Sequence, residues 1–210
     1  MNPTIKCIAC NPPNYSQSKC TPKYIVVHYT GNKGDTAKSN AAYFHTTVTK
    51  TSAHYFVDEN VIYQSVPDFY IAYSVGCKSG YCHKYARNNN TINIEMCDSF
   101  TTIPTKTKQN TFYLIKLIMN RYNIPVENVI RHYDVTHKLC PLPLISEIAW
   151  SKFKQELRSY LSKGETTMNV DEARQILRND AQLSGATLDW LSYYKYADQL
   201  FIKLAEAIKK

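Results

Sequence analysis

The sequence predicts an α/β protein in which helices flank a central mixed β-sheet, followed by a small all-helical module. Short β-branched runs of strand length, such as KYIVVHYT and TINIEMCDS, predict the sheet. A strongly amphipathic stretch, NTFYLIKLIMNRYNI, predicts a long helix on one face of that sheet. No strand pattern returns after the break at SKGETT. We therefore expect an α/β domain over residues 1–163 and a helical module over residues 164–210.

The first predicted strand is KYIVVHYT, after which GNKGDTAKSN turns the chain. A short helix through AAYFHTTV follows, and Ser39 or Asn40 could cap it. Its inward-facing residues are expected to be Ala42, Tyr43 and Val48. The next stretch, SAHYFVDENVIYQSVP, alternates like a β-hairpin and carries DEN at its turn.

The second half of the predicted sheet begins with TINIEMCDS. Alternation places Ile92, Ile94 and Met96 on one face and Asn93, Glu95 and Cys97 on the other. The long helix of residues 110–124 presents an apolar stripe made of Phe112, Ile115, Ile118, Met119 and Tyr122. A short strand then ends at Arg131–His132, and residues 146–161 form the next helix.

The C-terminal module is expected to contain a helix near residues 170–182, a Ser-Gly turn, and helical material to the end. Its last helix carries an apolar stripe of Ala197, Leu200, Phe201, Leu204 and Ile208. At roughly 45 residues the module is near the lower limit for independent folding. We therefore expect it to pack on the main domain, to self-associate as a homodimer, or to bind a partner.

Charge and hydropathy exclude several classes of protein. Residues 1–163 hold 19 Lys and Arg against 10 Asp and Glu, a net +9, whereas residues 164–210 hold 6 against 7, a net −1. A basic balance favours encounters with polyanions such as anionic wall polymers, although solubility alone explains it equally well. No clustered basic helix of the nucleic-acid-binding kind is present, and no run of eighteen apolar residues could span a membrane. The N-terminus lacks the apolar core of a secretory signal, so we expect a cytoplasmic protein that is released by other means.

Seven cysteines leave their own chemistry open. Cys7, Cys10 and Cys20 could form a structural zinc site with a further ligand such as Cys82 or His83, or they could form a disulfide after release. Unpaired thiols are the third alternative. The odd number of cysteines argues against a complete disulfide framework, and the state of Cys77 stays open with that of the others.

The stretch RHYDVTHKLCP packs two histidines, a lysine, an aspartate and a cysteine into eleven residues. Catalytic zinc takes three protein ligands and keeps a fourth position open, and one loop of this length can bring His132 and Cys140 to one ion. His28, in the buried strand IVVHYT, is the best candidate for the third ligand. Taken alone, however, His28 is more often a core histidine whose ring is hydrogen-bonded.

Five motifs, IVVHYTG, SAHYFVDE, IYQSVPD, NTINIEMC and RHYDVTHKLCP, occur in this order over residues 20–160. Together they resemble the zinc-dependent N-acetylmuramoyl-L-alanine amidases of the Amidase_2 type, which include phage endolysins and the peptidoglycan recognition proteins. The resemblance implies Zn²⁺ bound by His28, His132 and Cys140. It also implies that Glu95 assists the attacking water and that Lys138 lies near the scissile carbonyl. The implied reaction is hydrolysis of the bond between N-acetylmuramic acid and L-alanine in bacterial peptidoglycan.

Two positions depart from the family pattern. Many relatives carry A-W-H-x-G after the hairpin, whereas this chain has AYSVG, with Ser74 in place of the histidine. A second branch uses a catalytic tyrosine where this chain has His54, with Tyr55 beside it. We therefore treat Ser74 and Tyr55 as candidate substrate contacts, and His54 as a candidate contact either to substrate or to a residue that supports the site, with hairpin packing as an equal alternative for His54. Asp134 is expected to orient the loop or a ligand imidazole, and His137 to be solvated.

Three functions compete. The leading one is a peptidoglycan amidase, in particular an endolysin of a Gram-positive host that reaches the wall through a holin-type opening, with the helical module binding the wall or dimerising. The second is a recognition protein that binds peptidoglycan without cutting it, although such relatives typically lose the cysteine ligand. The third is a thiol peptidase in which Cys140 is the nucleophile and His132 or His137 is the base.

Overall fold

The computed structural model describes residues 2–76, 80–162, 170–194 and 197–209. The chain divides into two compact units, Met1–Leu161 and Ser162–Lys210. Each unit has its own buried apolar cluster.

The described residues of the first unit form eight strands arranged in two sheets. The strands are β1 (Thr4–Cys7), β2 (Tyr15–Lys19), β3 (Tyr24–Tyr29), β4 (Tyr55–Val57), β5 (Val61–Gln64), β6 (Tyr70–Ala72), β7 (Thr91–Met96) and β8 (Val129–Arg131). The main sheet has the order β1-β5-β4-β7-β3-β8, whereas β2 and β6 form a separate antiparallel pair. Neighbouring strands of the main sheet run parallel, except for the predicted hairpin β4–β5, which is antiparallel. The sheet is therefore mixed, as predicted.

Helices cover both faces of the main sheet. Four lie wholly or mainly in the first unit: α1 (Ala37–Thr46), α2 (Thr105–Tyr122), α3 (His132–Thr136) and α4 (Glu147–Ser162). Short 3-10 turns lie at Pro12–Asn14, Asn88–Asn90, Val126–Asn128 and Leu142–Leu144. Helix α2 starts five residues earlier than predicted and ends at Tyr122, where the left-handed backbone of Asn123 stops it.

The largest core lies between the sheet and helices α2 and α4. Alternate residues of β3 and β7 point into it, and they meet the apolar faces of the two helices. Its buried members include Ile25, Val27, Ile92, Ile94, Met96, Phe112, Ile115, Ile118, Phe153 and Leu157. The predicted stripe of α2 is confirmed, with Met119 and Tyr122 packed at the edge of this core. On the opposite face of the sheet, Val26 of β3 packs with Val75, Ala86 and Val135, and α1 packs against β4 and β5.

Helix α1 corrects one prediction. It starts at Ala37 and is capped by Thr36, whose hydroxyl accepts the Ser39 N–H. Ala37 and Ala41 face inward, where they pack with Phe56 and Tyr63. The predicted inward residues were wrong: Tyr43 and Val48 are exposed and Ala42 is only partly buried.

Strands β1, β2 and β6 were not predicted. All four residues of β1 are exposed, and β2 is only partly buried, so neither shows a hydrophobic alternation. Strand β1 joins the sheet by pairing in parallel with β5, far along the chain.

The second unit is helical, as expected. Its described helices are α5 (Val170–Asn179), α6 (Gly185–Leu191) and α7 (Ala197–Ile208). Helices α5 and α7 pack together, and Ser184 caps α6. The predicted stripe of α7 was partly wrong: Ala197 and Phe201 are buried with Ala205, whereas Leu204 and Ile208 are about 40% exposed. No helix in the described ranges is long and apolar enough to cross a membrane.

The cysteines of the described residues are free thiols. Cys7 is exposed, whereas Cys10 and Cys20 are buried, with their sulfurs directed at backbone carbonyls. These three do not gather into a metal-binding group, so neither the structural zinc site nor the disulfide is found in the part of the chain described. Cys77 lies outside the described residues.

Candidate active site

Three neighbouring parallel strands bring the predicted residues to one edge of the sheet. Strand β3 pairs with β7 so that His28 lies beside Glu95, on the face opposite the main core. On the other side β3 pairs with β8, where Val27 lies beside Arg131. His132 follows directly and therefore reaches the level of His28. The carboxyl ends of parallel strands commonly form binding sites in this way.

His28, His132 and Cys140 form one buried group. One donor atom from each residue lies within 4.8 Å of the others. The Sγ atom of Cys140 is 3.7 Å from Nδ1 of His28, and the two imidazole rings have their centroids 4.7 Å apart. All three residues are at least 97% buried. The predicted ligands therefore meet, although they come from distant parts of the chain.

His132 carries the clearest sign of a missing partner. Both of its ring nitrogens are buried and neither has a hydrogen-bond partner among the described residues. Leaving a buried polar atom unpaired costs about 1–3 kcal/mol, so such an atom calls for an explanation. A metal ion bound by one of these nitrogens supplies that explanation. Burial, followed by the charge of Lys138, also lowers the pKa of His132 to about 4, which keeps the ring in the neutral form that a metal requires.

The thiol of Cys140 does not suit a nucleophile in the absence of a metal. Burial, with a further contribution from the charge of Glu95, raises its pKa to about 12. A thiol peptidase needs a thiolate at neutral pH, usually stabilised by a nearby positive charge. His137, one of its two candidate bases, is exposed. This environment argues against the thiol-peptidase alternative.

Glu95 lies at the end of β7 next to the histidines. Its Oε1 atom is 3.9 Å from Nδ1 of His28, and its Oε2 atom is buried without a partner in the described structure. Burial raises the pKa of this carboxyl to about 8, although the positive charge of Lys138 acts in the opposite direction. A carboxyl with such a pKa can both accept and donate a proton near neutral pH.

The loop that supplies His132 and Cys140 is held by the buried Arg131. Its guanidinium donates to both oxygens of Asp134 and to Glu147. It also donates to the backbone carbonyls of Leu144 and Ile145, at 3.0 Å each. Asp134 therefore orients the loop, one of its two predicted roles, through the arginine.

These residues lie in an open cleft of about 860 Å³. The lining includes His28, Glu95, His132, Cys140 and the exposed Lys138. Around them the walls contain Tyr43, Phe44, Lys50, Tyr73, Asn88 and Leu139. A cleft of this size, with a few polar groups converging on its floor, is typical of an enzyme active site.

A family model described as N-acetylmuramoyl-L-alanine amidase matches residues 18–143. The chain belongs to that family. Among curated relatives, the amidase CwlL of Bacillus licheniformis is 31% identical over 164 residues, which cover 73% of this chain and 45% of CwlL. The amidase XlyA of Bacillus subtilis (strain 168) is 32% identical over 173 residues, covering 79% of this chain and 55% of XlyA. The chain thus spans about half the length of these relatives.

Solved structures of the amidase family confirm the predicted fold class. The catalytic domain of XlyA superposes with a TM-score of 0.64 at 31% identity, covering 75% of this chain and 99% of that domain. PlyL superposes with a TM-score of 0.64 at 28% identity, covering 75% of this chain and 97% of PlyL.

The remaining predicted residues lie at different distances from the cleft. Ser74 lines it, but its hydroxyl donates to the backbone carbonyl of Ser52. His54 and Tyr55 are buried and do not line the cleft. The hydroxyl of Tyr55 instead donates to the buried Asp68, at 2.6 Å. The burial of His54 and Tyr55 away from the cleft favours packing over substrate contact for both residues.

One site residue was assigned no role from the sequence. Asn93 lies two residues before Glu95 on the same face of β7, and its side-chain oxygen is 3.0 Å from Nε2 of His28. Its position on the polar face was the only available signal.

Proposed function

We propose that this chain hydrolyses the amide bond between N-acetylmuramic acid and L-alanine in bacterial peptidoglycan. The observation that carries the proposal is the buried His28–His132–Cys140 group beside the partly buried carboxyl group of Glu95 on the floor of an open cleft. Membership of the amidase family and the names of its relatives support the same bond.

We further propose that the three-residue group holds zinc. Two imidazoles and one thiolate match the ligand types of catalytic zinc, and the unpaired nitrogens of His132 fit an ion better than a protein partner. A bound zinc ion would polarise the scissile carbonyl and make a water molecule more acidic. Its charge would also favour the thiolate form of Cys140.

Glu95 moves the proton in this proposal. Its carboxylate takes a proton from the attacking water and hands it to the leaving amine of L-alanine. The carboxyl borders both the ligand group and the open cleft, so it can reach both partners.

Lys138 supplies positive charge in the lining of the cleft. Its side chain is exposed and lines the cleft, so its ammonium can approach the oxygen on which negative charge develops. Removal of one such donor typically costs about 10²–10³ in turnover. With Lys50 it also gives the cleft two cations that suit the carboxylates of a stem peptide.

The biological setting is a further part of the proposal. A mutant endolysin from Bacillus subtilis, whose structure is solved, is 31% identical to this chain. This supports an endolysin of a Gram-positive host. We propose that such an enzyme passes from the cytoplasm through a holin-type opening. We propose that the second unit binds the wall or forms a homodimer, and that the basic first unit favours anionic wall polymers.

Digestion of purified Gram-positive walls tests the proposal. We expect new free amino termini on L-alanine and intact glycan strands, read by mass spectrometry of the products. A chelator should abolish the release and zinc should restore it. New reducing sugar ends, cleavage inside the stem peptide, or activity that survives chelation but not thiol alkylation would overturn the proposal. Binding to walls with no release of peptide would favour a recognition protein instead.

A further inference from the structure

We infer that Asn93 is a positioning residue that holds His28 in the one tautomer whose Nδ1 atom faces the ligand group. The inference rests on the proposed metal site, because it explains how one of its ligands is oriented. It concerns an amide on β7 and the ring of a neighbouring strand, both at least 98% buried.

The orientation of the Asn93 amide follows from its neighbours. Its Nδ2 atom lies 3.1 Å from the Thr91 hydroxyl and 3.4 Å from the Thr91 carbonyl oxygen. A carbonyl oxygen only accepts hydrogen bonds, so the NH₂ group has to be on this side. The amide oxygen Oδ1 therefore faces Nε2 of His28, at 3.0 Å.

The tautomer of His28 then has a single solution. Because Oδ1 of Asn93 is an acceptor, Nε2 of His28 must carry a hydrogen to donate. A neutral ring with a proton on Nε2 has its lone pair on Nδ1. That atom is the one 3.7 Å from the Cys140 sulfur and 3.9 Å from Glu95. Ligand imidazoles commonly donate their other ring hydrogen to an oxygen, which orients them in this way.

A second histidine, His54, forms a hydrogen bond with the backbone of Asn93. The Nδ1 atom of His54 accepts the backbone N–H of Asn93 at 3.0 Å, and its Nε2 atom donates to the Tyr70 carbonyl oxygen at 3.1 Å. His54 is fully buried and both of its nitrogens are satisfied. It therefore fixes β7 behind the site, and the chain of contacts runs from Tyr70 through His54 and Asn93 to His28.

The first arm of the test reads the tautomer directly in the full chain. Nitrogen-15 NMR of the histidine rings in metal-free protein is expected to give His28 a protonated Nε2 and an unprotonated Nδ1. The signals are assigned by their loss in His28→Gln. A proton on Nδ1 would overturn the inference. This reading needs neither zinc nor hydrolysis, so it is distinct from failure of the proposed function.

The second arm measures zinc affinity by competition with a chromogenic chelator. Asn93→Leu removes the acceptor and is expected to weaken zinc binding about 10–100-fold, whereas Asn93→Asp keeps an acceptor and restores most of it. The matched control is Asn110→Leu, which removes another buried amide that donates to the carbonyls of Asp58 and Glu59. That variant should lose stability but keep zinc affinity.

Unchanged affinity in Asn93→Leu, or equal loss in Asn110→Leu, would reduce Asn93 to a packing residue and overturn the inference. If Asn93→Leu does not fold, the tautomer in the unmodified protein still decides.

Discussion

Replacing Glu95 with glutamine tests two effects of this partly buried carboxyl group: its role in proton transfer and its effect on folding stability at high pH. Glutamine keeps the shape but cannot take a proton from water, so we expect turnover to fall about 10²–10⁴-fold, the usual share of a general acid–base group. Because Glu95 is not one of the three proposed ligands, zinc content should not change. The exposed Glu127, replaced with glutamine, is the matched control and should keep full activity.

The same substitution should stabilise the metal-free protein at high pH. Burial raises the pKa of Glu95 from 4.5 to about 8, so the folded chain binds more protons than the unfolded chain between these values. Folding stability therefore falls as the pH rises through this window. A shift of this size corresponds to about 5 kcal/mol in the limit of full burial. Because the side chain keeps 22% exposure, we expect about 2 kcal/mol.

Thermal unfolding in the presence of a chelator measures this effect. The glutamine variant should melt about 4–8 °C above the unmodified protein at pH 8 and close to it at pH 4.5, since about 1 kcal/mol shifts the melting temperature of a domain of this size by about 2–4 °C. Glu127→Gln should show no such pH-dependent gap. A constant gap across pH, or a glutamine variant that still cleaves walls at the normal rate, would refute the reasoning.

Three further outcomes are expected. Cys140→Ser should lose zinc and activity together, and a variant that retains both, by elemental analysis and wall digestion, would contradict the ligand assignment. Burial lowers the pKa of Lys154 to about 8, so the unfolded chain binds more protons from about pH 8 to the ordinary 10.5 and stability rises with pH. Relative to Lys154→Met, the unmodified protein should therefore gain about 1–2 kcal/mol across that window in denaturant titrations, and a flat difference would show that the ammonium is not desolvated. A chain ending at residue 162 should keep amidase chemistry but lose wall affinity or oligomeric mass in sedimentation, and an unfolded product would show that the second unit is required for the fold of the first.

The parts of the fold that sequence reasoning reached have a repeating hydrophobic pattern. Strand β7 alternates cleanly, and α2 carries an apolar stripe that meets a buried sheet. The elements that were not predicted correctly lack such a pattern or depend on partners that are distant in the sequence. Strand β1 is exposed and exists through its pairing with β5. The inward face of α1 was missed because its buried Ala37 precedes the predicted start of the helix.

The candidate site divides in the same way. His28, His132 and Cys140 were predicted because their residue types and the order of their motifs restrict the chemistry. The role of Asn93 was not, because it depends on which side of the amide faces Thr91, and that is a property of three-dimensional contacts. The sequence left His54 open between a substrate contact, a supporting contact and hairpin packing, because a hairpin pattern does not say which buried carbonyl its ring meets.

The hydrogen bonds of the Arg131 guanidinium have a consequence for exchanging the proposed metal. Its hydrogen bonds to Asp134, Glu147 and two carbonyls involve none of the proposed ligands, so they do not depend on an ion for their own stability. We therefore expect the loop to keep its conformation when the proposed zinc is removed. Replacement of the proposed zinc by cobalt, whose complexes are coloured, should therefore proceed on the folded protein without refolding. Metal binding at the site could then be followed by visible absorption.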